Sequence, residues 1–180
     1  MKILMINKFL HPQGGSETYI FEVGKCLVSE GHEVQYFGME HEGRIVSNRL
    51  GEYTTDMDFH QKGLARLLYP LSILYSREAK RKLIRVLEDF QPDVVHVNNF
   101  NFQLTPSILY GIRTYSRKIG KRIPLFFTAH DYQLVCPNHM MIRQSDGTLC
   151  ERCTRGAFYH CTGGKCIHGS TVKSILGSLE

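Results

Sequence analysis

A doubly wound parallel α/β sheet is predicted for this chain by three features of its sequence. Short, unbroken apolar runs recur at residues 2–7 (KILMIN), 94–97 (VVHV) and 124–128 (PLFFT), as strands buried on both faces require. Stretches with apolar residues at helical spacing alternate with them. The first run, the helix after it and the next strand together have about the length of a parallel crossover unit.

The elements follow in order. The run at 2–7 gives way to a loop holding Pro12, Gly14 and Gly15, and a helix is expected to start at Ser16 as its N-cap, with Glu17 in the first turn. Ile20, Val23, Leu27 and Val28 form its apolar face, Cys26 reads as an ordinary core residue, and Gly31 ends the helix. Residues 33–38 (EVQYFG) form the second strand, while 40–60 are polar, dotted with glycine and give no assignment. A helix over about 76–90 turns Ala79, Leu83, Ile84, Leu87 and Phe90 inward, and Pro92-Asp93 introduces the strand at 94–97. Residues 104–118 form a helix with Ile108, Leu109, Ile112 and Tyr115 on one side, and 124–128 is a buried strand. Strand–helix alternation of this kind defines the doubly wound class.

The chain has 180 residues, 42% hydrophobic and 22% charged, which suits one folded domain and excludes disordered and low-complexity classes. No apolar run approaches the roughly 20 residues of a membrane span. The start, MKILMINKF, has no long apolar stretch or cleavage site of a secretory signal, so a cytoplasmic chain is expected. The net charge of +5 permits anionic partners without naming one.

Ligands of such sheets bind where loops leave the carboxyl ends of the strands. Three loops qualify: Gly14-Gly15-Ser16-Glu17, Asn98-Asn99-Phe100-Asn101 and Ala129-His130-Asp131. Two small residues before a helix let backbone N–H groups approach a phosphate whose charge the helix dipole favours; a plain tight turn is the alternative. Neither the dinucleotide glycine fingerprint nor Walker A occurs, which disfavours oxidoreductase and NTPase readings. Glu17 either belongs to the site or complements the dipole of its own helix. His130 can donate to a sugar hydroxyl or share a proton, with Asp131 to orient it or bind a hydroxyl itself. Amides and an imidazole without clustered carboxylates suit a hydroxyl-rich ligand better than a hard metal ion.

Taken in order, G-G-S-E at 14–17, E-G-H-E-V at 30–34, P-D-V-V-H-V-N-N at 92–99 and F-T-A-H-D-Y at 127–132 resemble the family 4 glycosyltransferases, retaining enzymes of the two-domain GT-B fold. The resemblance extends into Cys136-Pro137 and the later cysteines. It implies that residues 1–180 form the Rossmann-like, acceptor-side N-terminal domain of an enzyme using a nucleotide-diphospho-sugar donor. It places Gly14, Gly15 and Ser16 against the donor diphosphate, His130 with Asp131 at the donor sugar, and Asn98, Asn99 and Glu17 on the side of a glycan or lipid-linked acceptor. It implies no obligatory cofactor for catalysis. The family's second domain, with its paired glutamates, falls outside these residues. The chain is therefore expected to be an excised first domain, with Leu179-Glu180 a cloning remnant, and to be unable to turn over donor alone.

Five of the six cysteines fall between 136 and 166, and Cys150, Cys153, Cys161 and Cys166 make C-x2-C-x7-C-x4-C within a Cys-rich insertion at 136–168. Structural zinc, locally packed reduced thiols and disulfides all remain open, with His139, His160 and His168 as substitute ligands. A non-catalytic, zinc-stabilised interaction module is the alternative reading of the chain. Lys80, Arg81, Lys82 and Arg85 crowd one helix and Arg113, Arg117, Lys118, Lys121 and Arg122 the next, beside an apolar stretch at 64–75. A solvated face beside a buried segment explains these, and peripheral contact with anionic lipid is the alternative. Nucleic acid is not expected, because the aromatics do not interleave with the basic run.

Overall fold

The computed structural model describes residues 1–55 and 74–179, so the apolar stretch at 64–75 lies almost wholly outside the described residues. The chain divides into two compact units, Met1–Thr128 and Ala129–Glu180.

The first unit holds β1 (Lys2–Ile6), α1 (Gly15–Ser29), β2 (Glu33–Phe37), α2 (Arg77–Phe90), β3 (Val94–Val97), α3 (Ser107–Lys118) and β4 (Leu125–Phe127). The strands pair in the order β2-β1-β3-β4, all parallel. Alternation along β1 feeds two cores. Leu4 and Ile6 pack with Leu83, Leu87 and Phe90 of α2 and Ile108 and Ile112 of α3, whereas Ile3 and Met5 pack with Ile20 and Phe21 of α1 and with Tyr36. Helices therefore cover both faces of the sheet, as the apolar strand runs require. α1 lies so close to β2 that a Cβ at Gly24 would collide with the Tyr36 hydroxyl.

Several local expectations are corrected. α1 begins at Gly15 with Gly14 as N-cap and no side-chain cap, and Ser16 lies inside the first turn. There its hydroxyl donates to Glu17 Oε1 at 2.7 Å instead of accepting a backbone N–H. Cys26 is exposed, because it lies two residues, about 200°, round the helix from the buried Gly24. Val28 is exposed in the last turn of α1. α3 starts at Ser107, after Thr105 in a left-handed conformation and Pro106, and its Leu109 is exposed. In β4, Leu125 and Phe126 are exposed, since among the described residues β4 is the sheet's edge. Ser76 caps α2, accepting from the Ala79 N–H, so the helix begins within a residue of the expected start.

The second unit has α4 (Tyr159–Gly163), α5 (Thr171–Leu179) and a single antiparallel bridge between Ile142 and Leu149. Left-handed residues at His139, Met141, Gly147, Gly156, Lys165, His168 and Gly169 mark it as a succession of turns. Neither hydrophobic core includes a residue from it.

Candidate functional site

The carboxyl ends of β1 and β3 are stitched together by Asn7, a residue whose role the sequence signalled only by a polar side chain ending an apolar run. Asn7 is fully buried. Its amide nitrogen donates to Phe9 O at 2.8 Å and Glu17 Oε1 at 2.9 Å, and its Oδ1 accepts the Asn99 N–H at 3.0 Å. Lys8 N–H donates to Asn99 O, and Asn98 N–H donates to Ile6 O. One side chain thus joins the loop after β1, the loop after β3 and the first turn of α1. Asn98 is buried, with its amide nitrogen toward Ile6 O, while Asn99 is half-exposed.

Glu17 is 3% exposed, and its Oε1 takes bonds from both Asn7 and Ser16. A carboxylate held in the first turn of α1 complements the helix dipole and anchors the helix start to the strand ends. The first intrahelical bond runs from Thr18 N–H to Gly14 O, so the N–H groups of Gly15, Ser16 and Glu17 have no acceptor within the helix. Gly14 has an extended backbone (φ −158°), and neither it nor Gly15 is left-handed. A Cβ on Gly15 would meet nothing within 4 Å, and one on Gly14 would make ordinary contact with Glu17. Neither chain conformation nor internal packing requires glycine at position 15. It leaves the Cβ direction at the helix start open, beside N–H groups with no acceptor in the helix.

Beside this corner, His96 Nε2 and Thr128 Oγ1 are 2.8 Å apart, linking β3 to the end of β4, and the Tyr19 ring meets His96 edge-on. His130 and Asp131 follow two and three residues after Thr128 and open the second unit. Both are half-exposed. Asp131 Oδ1 accepts the Gln133 N–H at 2.9 Å, and Oδ2 lies 3.3 Å from His139 Nδ1. His139 thereby serves Asp131. The structure therefore brings together Gly14, Gly15, Ser16, Glu17, Asn98 and Asn99 within the first unit, and His130 with Asp131 within the second.

Cys150, Cys153, Cys161 and Cys166 line one cavity of about 180 Å³ in the second unit, joined by Cys136 and His160. All five cysteines are free thiols. Burial pushes the Cys161 thiol up to about 12, with Cys166 adding to the rise. Burial likewise raises Cys153, followed by Cys136, against a smaller lowering by the Cys161 backbone N–H. Among the described residues no three His, Cys, Asp or Glu side chains stand ready to hold a metal ion as they are oriented. His168 does not line this cavity.

Of the basic residues on α2 and α3, Lys82 pairs with Glu78, Arg85 with Glu52 and Lys118 with Glu88. These pairs take up part of the charge that a lipid surface would need. No helix among the described residues is long and apolar enough to cross a membrane.

The chain is similar to a Klebsiella pneumoniae protein described as an uncharacterized 42.6 kDa protein in cps region, with 24% identity over 151 residues. The match takes in 77% of this chain and 39% of that protein, so the chain spans well under half of its relative's length. The model of Glycosyltransferase Family 4 matches residues 13–155, from the Gly14-Gly15 turn through the strand ends and His130 to the Cys150-x-x-Cys153 pair. With well over half of the sequence inside that match, including the start of α1 and the loop after β3, the chain belongs to Glycosyltransferase Family 4.

Proposed function

We propose that this chain is the acceptor-side domain of a retaining glycosyltransferase that moves a sugar from a nucleotide-diphospho-sugar to a glycan or lipid-linked acceptor. The observation that carries the reading is Gly15, whose missing side chain serves no need of the fold and leaves the helix-start N–H groups open. The donor diphosphate lies against the N–H groups of Gly15, Ser16 and Glu17. There the dipole of α1 favours its charge, most of all as the diphosphate departs. His130 donates to a hydroxyl of the donor sugar, and Asp131, braced by His139 and the Gln133 N–H, fixes the turn that carries it. Asn99 meets the acceptor. Buried Asn98 and Glu17 act behind it, as positioning residues. Neutral donors and a helix start stabilise the leaving group without requiring a divalent ion from this domain. A peripheral lipid contact would bring a lipid-linked acceptor to the basic faces of α2 and α3.

The test is Gly15→Val in the full-length protein. The Cβ it adds meets nothing within 4 Å, so the denaturation midpoint is expected to move little, while transfer falls about a hundredfold, the scale of a lost anion-stabilising interaction. Unchanged transfer by Gly15→Val overturns the reading.

A further inference from the structure

The second unit lacks what normally holds 52 residues together. Among its described residues the buried side chains are Cys136, Pro137, Cys153, Cys161 and Ser174, with no Val, Leu, Ile, Met or aromatic residue among them. Its turns and two short helices are tied by polar contacts. The Ser174 hydroxyl accepts the Ile167 N–H, and the Ser178 hydroxyl donates to Phe158 O. A unit of this size without an apolar core needs a covalent or metal staple.

The interior offers one. The four cysteines of C-x2-C-x7-C-x4-C line one cavity. Cys136 donates to Asn138 Oδ1 at 2.9 Å, which sets it apart from the other four. The cavity wall also holds Arg143 and Arg152. Arg143 pairs through Nη1 with Asp146 at 3.0 Å, while its Nε is buried with no hydrogen-bond partner, a donor that a sulfur anion would satisfy. A Cβ at Gly164 would stand 2.9 Å from Cys166 Sγ, so glycine lets the chain pass against that sulfur.

We propose that Cys150, Cys153, Cys161 and Cys166 bind one structural Zn²⁺ that organises the second unit, with Arg143 and Arg152 offsetting the charge of the tetrathiolate. Four thiols release four protons to solvent as the ion enters, and the site of one Zn²⁺ and four thiolates carries a net charge of minus two. Zinc–sulfur bonds of about 2.3 Å would require cysteine rotamer changes that draw the sulfurs in from the cavity walls. Four protein ligands leave no open position, so the site is structural and not catalytic. The inference is independent of the sugar chemistry proposed above.

The experiment is elemental analysis of chain purified under reducing conditions without chelator, followed by replacement of the ion with Co²⁺. One zinc per chain, and the intense visible absorption of tetrahedral thiolate-bound cobalt, support the site. Cys153→Ser loses stoichiometric zinc and the cobalt spectrum, whereas Cys26→Ser, at an exposed position on α1, keeps both. The wild-type cobalt spectrum decides the matter even if Cys153→Ser fails to fold. Zinc well below one per chain, iron in its place, weak octahedral cobalt absorption, or a mass lowered by disulfide formation each overturns the proposal.

Discussion

Asn7 shows how much one side chain can hold. It supplies a donor to Glu17, a donor to Phe9 O and an acceptor for Asn99, all in the interior. Replacing it with Ala strands a buried carboxylate short of a donor and leaves the Asn99 N–H unpaired. Asn7→Ala is therefore expected to cost about 1–3 kcal/mol, the penalty of unsatisfied buried polar groups, read as a lower midpoint in equilibrium denaturation. A loss within about 0.5 kcal/mol, the range of an ordinary surface change, would mean that solvent replaces these bonds. The sequence marks Asn7 as the end of an apolar run and no more, because its partners depend on β1 lying beside β3, a pairing between residues some ninety apart. The Gly14-Gly15 turn was legible for the opposite reason: its signal is local, two small residues followed at once by a helix.

Elements were read well where their signal came from their own residues and less well where it came from neighbours. The apolar periodicity of α2 placed that helix to within a residue. β4 was recognised as a strand but taken as buried, since an apolar triplet does not say whether another layer covers it. Two predictions belong here. Gly24→Ala sets a methyl against the Tyr36 hydroxyl between α1 and β2, and overpacking of this kind costs about 1–3 kcal/mol in a denaturation titration. The second concerns the carboxylate of Glu78, which receives the Thr55 N–H at 3.1 Å, the Thr55 hydroxyl at 2.7 Å and Lys82 Nζ at 2.8 Å. Burial alone would raise its pKa, but the hydrogen bonds from Lys82 and Thr55 outweigh it and hold the group below its ordinary 4.5. With the folded value depressed, the stabilisation is present above the unfolded pKa and drains away as pH falls below it. The wild type should thus lose more stability than Glu78→Gln between neutral pH and about pH 4, seen by following both in denaturant across that range. Parallel losses in the two proteins would remove Glu78 from the account.

At the scale of the molecule the two units are stabilised by different physics. The first has apolar cores on both faces of its sheet; the interior of the second is mostly sulfur, with Pro137 and Ser174. Alternating strands and helices made the first unit legible from residue 2 onward, because buried strands declare themselves by composition. The cysteine spacing pointed to a staple in the second, but not to Cys136 and Arg143 beside the four sulfurs, since both reach the cavity through turns with no regular period. This division has a consequence for metal removal. Burial of Leu4, Ile6, Phe37 and Phe90, at about 1.5–3 kcal/mol for each side chain, does not depend on an ion, so a strong chelator should leave β1, β2 and β3 intact. The second unit has no comparable reserve, and the binding energy of the proposed ion would be its folding energy. Amide hydrogen exchange with and without chelator separates the two: protection around α4 and the cysteine turns should collapse, while the amides of β1 and β3 keep theirs. Because four thiols must lose protons for the ion to bind, acid should release it and produce the same selective collapse. Equal loss of protection in both units would mean that the sheet also depends on the sulfur cluster, and unchanged protection in the second unit would mean that its turns hold themselves.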